Sequence, residues 1–181
     1  MTDQGPDPSV LKSQADEAEN TRKYFSNDGK KERERWVVEH WAAALARSIA
    51  NLKESEAPDF VADGDVVEVV EVQPPERRRG DEYRADRDAL AQGKLPEWKN
   101  WVSFELVQAE GYDWIGDAIS AKAQKYGEAA KDWTLVVYAN YGWWEETDWD
   151  AVGKIVQESV ETFASIHVLG AGGETVVRIK S

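Results

Sequence analysis

Cysteine is absent from the 181-residue sequence, and histidine occurs only at His40 and His167, without metal-ligand spacing. The missing cysteines exclude a disulfide framework, thiol catalysis and any zinc or iron–sulfur site with cysteine ligands. Apolar runs of the roughly 18 residues that a membrane-spanning helix needs are also missing. The opening residues, MTDQGPDPSV, lack the charged and then apolar layout of a secretory signal. We therefore expect a cytoplasmic protein without a membrane partner.

Basic residues are few relative to acidic ones. The chain has 22 lysines and arginines against 35 aspartates and glutamates, which gives a net charge of −13. Proteins that bind nucleic acid non-specifically carry a basic footprint, and this chain as a whole has the opposite charge. An acidic surface is instead compatible with a protein partner, as in an immunity-type or decoy protein.

The length is sufficient for one domain with a hydrophobic core. Residues 1–30 are polar, and we interpret them as a flexible tail or a short helix near Pro8–Asn20. Residues 31–181 are expected to form a single α/β domain. Within it, Glu76–Asn100 has few apolar residues and is predicted to be an excursion, helical near Ala85–Gln92.

Hydrophobic periodicity predicts the element order αβββαβαββ, in which helices and strands alternate. The predicted elements are a helix at 31–53, strands at 58–62, 65–73 and 101–109, a helix at 114–130, a strand at 133–140, a helix at 148–163 capped by Asp148 or Asp150, and strands at 165–169 and 175–180. This order predicts an α/β (α+β) fold with a mixed central sheet flanked by helices.

The dipeptide Asp63-Gly64 is typical of a two-residue type I′ hairpin, because both positions need positive φ values. A hairpin with this loop pairs the residues on its two sides one by one, and the pairs are Ala62 with Asp65, Val61 with Val66 and Phe60 with Val67. The next pair is Asp59 and Glu68. Like charges that are directly opposed on neighbouring strands are destabilising, so this pair calls for a compensating interaction.

The strand around Glu68 has valines on both faces, which is typical of an interior strand. Two facing carboxylates in such a strand share a proton, pair with a cation or bind a metal ion. Mg²⁺ and Mn²⁺ are suitable ions, because hard divalent cations prefer oxygen ligands. In the alternative interpretation, Asp59 and Glu68 both reach solvent near an edge of the sheet.

Two predicted helices carry charged residues on apolar faces. Glu39 lies within a run that is apolar nearly all round, on the side of Ala42, Ala43 and Ala46. Lys122 lies on the apolar stripe of Ile115, Ile119, Tyr126 and Ala129. Together with Asp59 and Glu68, these two residues form a candidate constellation.

The motifs Pro58-Asp59-Phe60 and Val66–Val72, followed by the helix Ala118–Tyr126 and the strand Trp133–Tyr138, resemble the PD-(D/E)XK nuclease-like superfamily. The similarity covers about residues 32–140. It implies a restriction-endonuclease-like αβββαβ core, here followed by a C-terminal helix and hairpin.

The resemblance implies that Asp59 and Glu68 bind the catalytic Mg²⁺ or Mn²⁺ and that Glu39 is a further acidic residue supporting a metal-bound water. The lysine of this superfamily normally lies two residues after the second carboxylate, where this chain has Val70. Some members carry the lysine on the following helix, and Lys122 or Lys125 fits that arrangement. An alternative register takes Glu71 and Gln73, which share a face of the strand, as the acidic motif.

Three functions follow from these patterns. The first is a divalent-metal-dependent nuclease that hydrolyses phosphodiester bonds in nucleic acid. The second is a non-catalytic protein-binding protein of the immunity or decoy type on the same scaffold, which uses the acidic surface and the aromatic pair Trp143 and Trp144. The third is a small α/β protein in which the carboxylates are structural. The sequence leaves open which of the three applies, as well as the substrate and the oligomeric state.

Overall fold

Two compact units make up the chain, and the computed structural model describes residues 8–24, 29–75, 77, 79–94, 102–157 and 159–180. In the first unit (Met1–Arg33 and Glu76–Asn100), helix α1 (Pro8–Tyr24) packs against helix α3 (Arg79–Ala91). Helix α1 includes the predicted helical stretch Pro8–Asn20, and α3 includes the predicted Ala85–Gln92 except for its last residue. Residues 1–7 and 25–28 of the predicted tail, and residues 76, 78 and 95–100 of the excursion, lie outside the described residues.

The second unit (Glu34–Pro75 and Trp101–Ser181) is built on one six-stranded sheet whose strands follow chain order. The strands are β1 (Leu52–Glu54), β2 (Phe60–Ala62), β3 (Asp65–Val72), β4 (Trp133–Ala139), β5 (Ser165–Gly170) and β6 (Val176–Lys180). Strands β1, β2 and β3 are antiparallel neighbours, β3, β4 and β5 run parallel, and β6 is antiparallel to β5. The predicted mixed sheet flanked by helices is therefore confirmed.

Helices cover the two faces of this sheet with two separate apolar cores. Helix α2 (Lys30–Ala44) packs with Phe60, Val67, Val69 and Val136. Helices α4 (Phe104–Tyr126) and α5 (Trp149–Ile155) pack on the other face, with Leu135, Val137, Ile166 and Val168. Because side chains alternate along a strand, Glu68 faces α4 whereas Glu71 faces α2. Among the described residues, no helix combines the length and apolar composition needed to cross a bilayer.

The first predicted helix is too long, because α2 ends at Ala44 rather than at residue 53. Ala46 has a positive φ of 54°, the N–H of Arg47 donates to Ala42 O, and the N–H of Ala46 donates to Ala43 O. This is the Schellman ending of a helix, in which glycine usually occupies the position of Ala46. The chain then turns, and its next residues form β1, which pairs with β2.

The predicted strand at 101–109 is wrong, because α4 begins at Phe104, and Trp101 lies outside the described residues. Ser103 caps the helix, and its side chain accepts a hydrogen bond from the N–H of Leu106. The strand was predicted because Val102, Phe104 and Leu106 alternate with other residues, a pattern that is typical of a strand. Three strands still precede α4, since β1 supplies the missing one.

The C-terminal elements follow the prediction with one difference in length. Asp148 caps α5 and accepts a hydrogen bond of 2.9 Å from Ala151 N, as expected. The helix ends at Ile155 and a short 3₁₀ turn follows at Val160–Thr162, so the predicted helix to residue 163 is interrupted. The terminal hairpin of β5 and β6 is confirmed.

Gly170 lies directly against the indole of Trp144, and we expect Gly170→Ala to destabilise the fold by roughly 2–3 kcal/mol. A Cβ at this position would lie 2.1 Å from Cε2 and 2.2 Å from Cζ2 of the indole. Gly172→Ala is the matched control, since a Cβ there meets nothing within 4 Å. Urea denaturation of both variants is the measurement, and equal midpoints would contradict the prediction.

Candidate functional site

The hairpin between β2 and β3 sets the geometry of the candidate site. Asp63 and Gly64 have φ values of 50° and 100°, as a type I′ turn requires. The three predicted pairs next to the turn are confirmed. The Asp63 carboxylate accepts hydrogen bonds from Ala50 N and Asn51 N, which anchor the turn to the chain after α2 and lower the pKa of Asp63.

Asp59 and Glu68 meet at the end of this hairpin, and both are buried, with exposed fractions of 5% and 1%. The N–H of Asp59 donates to Glu68 Oε2 at 3.2 Å, and the N–H of Val69 donates to Asp59 Oδ2 at 3.0 Å. The backbone of each strand thus holds the carboxylate of the other. The alternative in which both carboxylates reach solvent is wrong.

Two residues of α4 complete the surroundings of Glu68. Lys122 places Nζ 2.5 Å from Glu68 Oε1, and the Tyr126 hydroxyl donates to the same oxygen at 2.7 Å. Lys122 and Tyr126 are four residues apart and therefore lie on one face of the helix. The Lys122 side chain is 18% exposed, so its ammonium group lies between the buried carboxylate and the surface.

Tyr126 was not among the residues singled out as functional, although it follows Lys122 by one helical turn on the same apolar stripe. Its burial, together with its hydrogen bond to the Glu68 carboxylate, raises the pKa of Tyr126 to about 12. The phenol therefore stays protonated and donates to Glu68 at neutral pH. Lys125, which is exposed, donates to the Tyr126 hydroxyl at 2.8 Å and so lies at the outer side of the same group.

The structure does not bring the other predicted acidic residues to this group. Glu39 is exposed on α2, which covers the opposite face of the sheet. Glu71 also faces α2, and its Oε1 accepts a hydrogen bond of 2.6 Å from Asn140 Nδ2. Gln73 follows the end of β3. The hairpin therefore pairs Asp59 with Glu68 and not with the alternative motif of Glu71 and Gln73.

The two tryptophans proposed as a binding surface differ in exposure. Trp143 is 53% exposed, has a positive φ of 62°, and makes an edge-to-face contact with Phe104. Trp144 is only 4% exposed and packs edge-to-face against Trp149. Of this pair, only Trp143 is available at the surface, and Trp144 belongs to the core.

Metal binding by the site would have to rest on Asp59 and Glu68. Among the described residues, no group of three or more histidine, cysteine or acidic side chains is arranged to hold one ion. Mg²⁺ is commonly held by one or two carboxylates, with waters and substrate phosphate oxygens as its other ligands. Oε1 of Glu68 already accepts two hydrogen bonds, whereas Oε2 accepts a single N–H and keeps a second lone pair. The pair therefore fits an ion that is completed by water and substrate.

Comparison with solved structures finds a protein of unknown function from Pseudomonas aeruginosa, described as belonging to the monooxygenase superfamily. It is 17% identical, the match covers 90% of this chain and 79% of that one, and the TM-score is 0.48. No curated protein matches the chain.

Comparison with family models gives a match over residues 7–147, which is most of the chain. The matching family is described as "Putative endonuclease, protein of unknown function (DUF1780)". The matched range contains the β2–β3 hairpin, α4 and all of the residues around Glu68. The chain belongs to the DUF1780 family.

Proposed function

We propose that this protein is a nuclease that hydrolyses phosphodiester bonds with a bound Mg²⁺ or Mn²⁺, and that Asp59 and Glu68 are its metal ligands. The observation that supports this most is the pair of buried carboxylates, each held by the backbone of the opposite strand beneath Lys122. The endonuclease in the family description supports the same class of reaction.

The negative charges of the Asp59 and Glu68 carboxylates favour the binding of a cation. Burial of a carboxylate is costly unless a positive charge or several hydrogen bonds compensate it. The ammonium group of Lys122 supplies one positive charge to a group that contains two carboxylates. A divalent ion bound between the two carboxylates would add positive charge to this group, and a substrate phosphate would then complete its coordination.

The lysine of the site comes from α4 in this proposal. The PD-(D/E)XK superfamily, which the sequence resembles, carries its lysine at the position of Val70. Val70 is apolar and packs against the core on the α4 side. Lys122 reaches the same face of β3 from the helix and contacts Glu68 directly. Lys122 therefore takes the role of the missing lysine.

The roles of the side chains follow from their positions. A divalent ion held by Asp59 and Glu68 would polarise the scissile phosphate and lower the pKa of a coordinated water. The ammonium group of Lys122 stabilises the negative charge that develops on the phosphate oxygens. Tyr126 fixes the orientation of Glu68 through its hydrogen bond to Oε1. The exposed Lys125, which donates to the Tyr126 hydroxyl, would supply a second positive charge for a phosphate of the nucleic acid.

Calorimetric titration with Mn²⁺ tests the metal site without assuming a substrate. We expect saturable heat from the unmodified protein and none from the double variant Asp59→Asn with Glu68→Gln, because the amides remove both anionic ligands. Glu71→Gln is the matched control, since Glu71 lies on the same strand but on the other face. Absence of heat from the unmodified protein would overturn the proposal.

A further inference from the structure

A cavity with polar lining residues lies on the α2 face of the sheet, on the opposite side from the Asp59–Glu68 pair. Its volume is about 390 Å³, and its walls include Arg47, Thr134, His167 and Arg178. This volume is within the range of small-molecule sites in proteins. The residues that line the cavity come from α2, from the chain just after it, and from β3, β4, β5 and β6, all within the second unit.

His167 lines this cavity and carries a buried hydrogen-bond donor. The side chain is 3% exposed, and its Nδ1 accepts a hydrogen bond from the indole N–H of Trp41. An indole nitrogen can only donate, so the proton of the neutral imidazole is on Nε2. Nε2 is buried and has no hydrogen-bond partner in the described part of the chain.

The imidazole of His167 is neutral at physiological pH. Its burial, and then the positive charges of Arg178 and Arg47, lower the pKa of His167 to about 4. Arg178 lies directly opposite His167 in the pairing of β5 with β6. His167 is therefore a neutral donor beside two cations.

The two arginines give the cavity a positive balance in a chain of net charge −13. Arg178 forms no ion pair with any carboxylate of the described residues. Arg47 pairs with Asp65 at 2.5 Å, and its guanidinium lies 5.3 Å from the centroid of the Trp41 ring. Asp65 is the acidic residue among those that line the cavity, so the lining contains one carboxylate and two guanidinium groups.

Two hydroxyl groups that hydrogen-bond to each other add one further donor to the lining of the cavity. Thr134 Oγ1 and Ser165 Oγ are 2.9 Å apart, on paired positions of β4 and β5. Whichever of the two donates in this hydrogen bond, the other keeps a free O–H. The lining of the cavity thus includes a hydroxyl donor, an imidazole and two guanidinium groups, which come from the chain after α2 and from β4, β5 and β6.

We propose that this cavity binds a phosphate monoester group. Donors that converge from several directions suit a tetrahedral dianion, and guanidinium groups bind phosphate oxygens bidentately. Trp41 and Leu45 also line the cavity and provide apolar surface for the organic part of the ligand. The group could belong to a small metabolite or to the terminal phosphate of a nucleic acid. The proposal does not depend on the nuclease function.

Nuclear magnetic resonance of the imidazole groups provides a direct test, because the chain has only two histidines. Titration with inorganic phosphate and with ribose 5-phosphate should shift the His167 signals saturably, and acetate at the same concentration should not. His40 stacks on Trp36 outside the cavity and serves as the internal reference. If a 5′-phosphorylated oligonucleotide gives the shift and ribose 5-phosphate does not, the ligand is a nucleic-acid end; the reverse identifies a small metabolite.

Two variants change the affinity for ribose 5-phosphate in opposite directions. Arg178→Gln should weaken binding about tenfold, because it removes a charged donor. Asp65→Asn should tighten binding several-fold, because it frees Arg47 and removes a negative charge. Arg35→Gln, which changes an exposed arginine paired with Glu54, should leave the affinity unchanged.

The outcomes that would overturn the proposal are equally specific. They are a lack of any saturable His167 shift with either phosphate or ester, and an equal loss of affinity in Arg178→Gln and Arg35→Gln. Thermal unfolding shows whether each variant is folded. Should Arg178→Gln fail to fold, Asp65→Asn decides the question, since no increase in affinity there contradicts the proposal.

Discussion

Replacement of Lys122 by methionine should lower the free energy of unfolding by about 3–5 kcal/mol, because it leaves the buried Glu68 carboxylate without its cation. Methionine keeps the apolar stem of the side chain and much of its packing. Water can reach the partly exposed position of Lys122, which favours the lower end of this range. The Tyr126 hydroxyl and the Asp59 N–H would remain as donors to Glu68.

A double-mutant cycle measured by urea denaturation isolates this interaction. Glu68→Gln removes the buried charge, so adding Lys122→Met to it should cost about 2 kcal/mol less than Lys122→Met costs in the unmodified protein. Lys125→Met is the control from the same helix, and we expect at most about 1 kcal/mol for an exposed lysine. If the effects of Lys122→Met and Glu68→Gln are simply additive, the ion pair contributes nothing to stability.

The part of the site that could be predicted from the sequence is the part that depends on local geometry. A two-residue turn at Asp63-Gly64 allows one register, and that register brings Asp59 to Glu68. Lys122 could also be identified from local geometry, because the period of a helix places it on the same stripe as its apolar neighbours. These inferences require only the periods of a strand and a helix.

The predictions that failed concern features that depend on tertiary structure or on an atypical residue. Helix α2 ends in a Schellman motif with Ala46 in the position where glycine would have indicated the end. Glu39 was expected near the site, but strand alternation cannot tell which helix covers which face of the sheet. The cavity around His167 combines residues from α2 and four strands, so no local pattern in the sequence indicates it.

The nuclease proposal also predicts which acidic residue of β3 is needed for activity. Glu68→Gln should lower the rate of Mn²⁺-dependent phosphodiester cleavage by about a thousandfold, since the amide no longer supplies an anionic metal ligand. Glu71→Gln should change the rate by at most about twofold, because Glu71 faces α2 and a glutamine there can still accept the hydrogen bond from Asn140.

Single-turnover cleavage of DNA and RNA oligonucleotides, with Mn²⁺ present and then removed by a chelator, measures both variants under the same conditions. The urea midpoints of the two variants show whether any loss of rate reflects unfolding. A loss of activity in Glu71→Gln with activity retained in Glu68→Gln would select the alternative motif. That result would conflict with the hairpin register, because the register places Glu71 on the face of the sheet away from Asp59 and Lys122. Activity should therefore depend on the residue that faces α4.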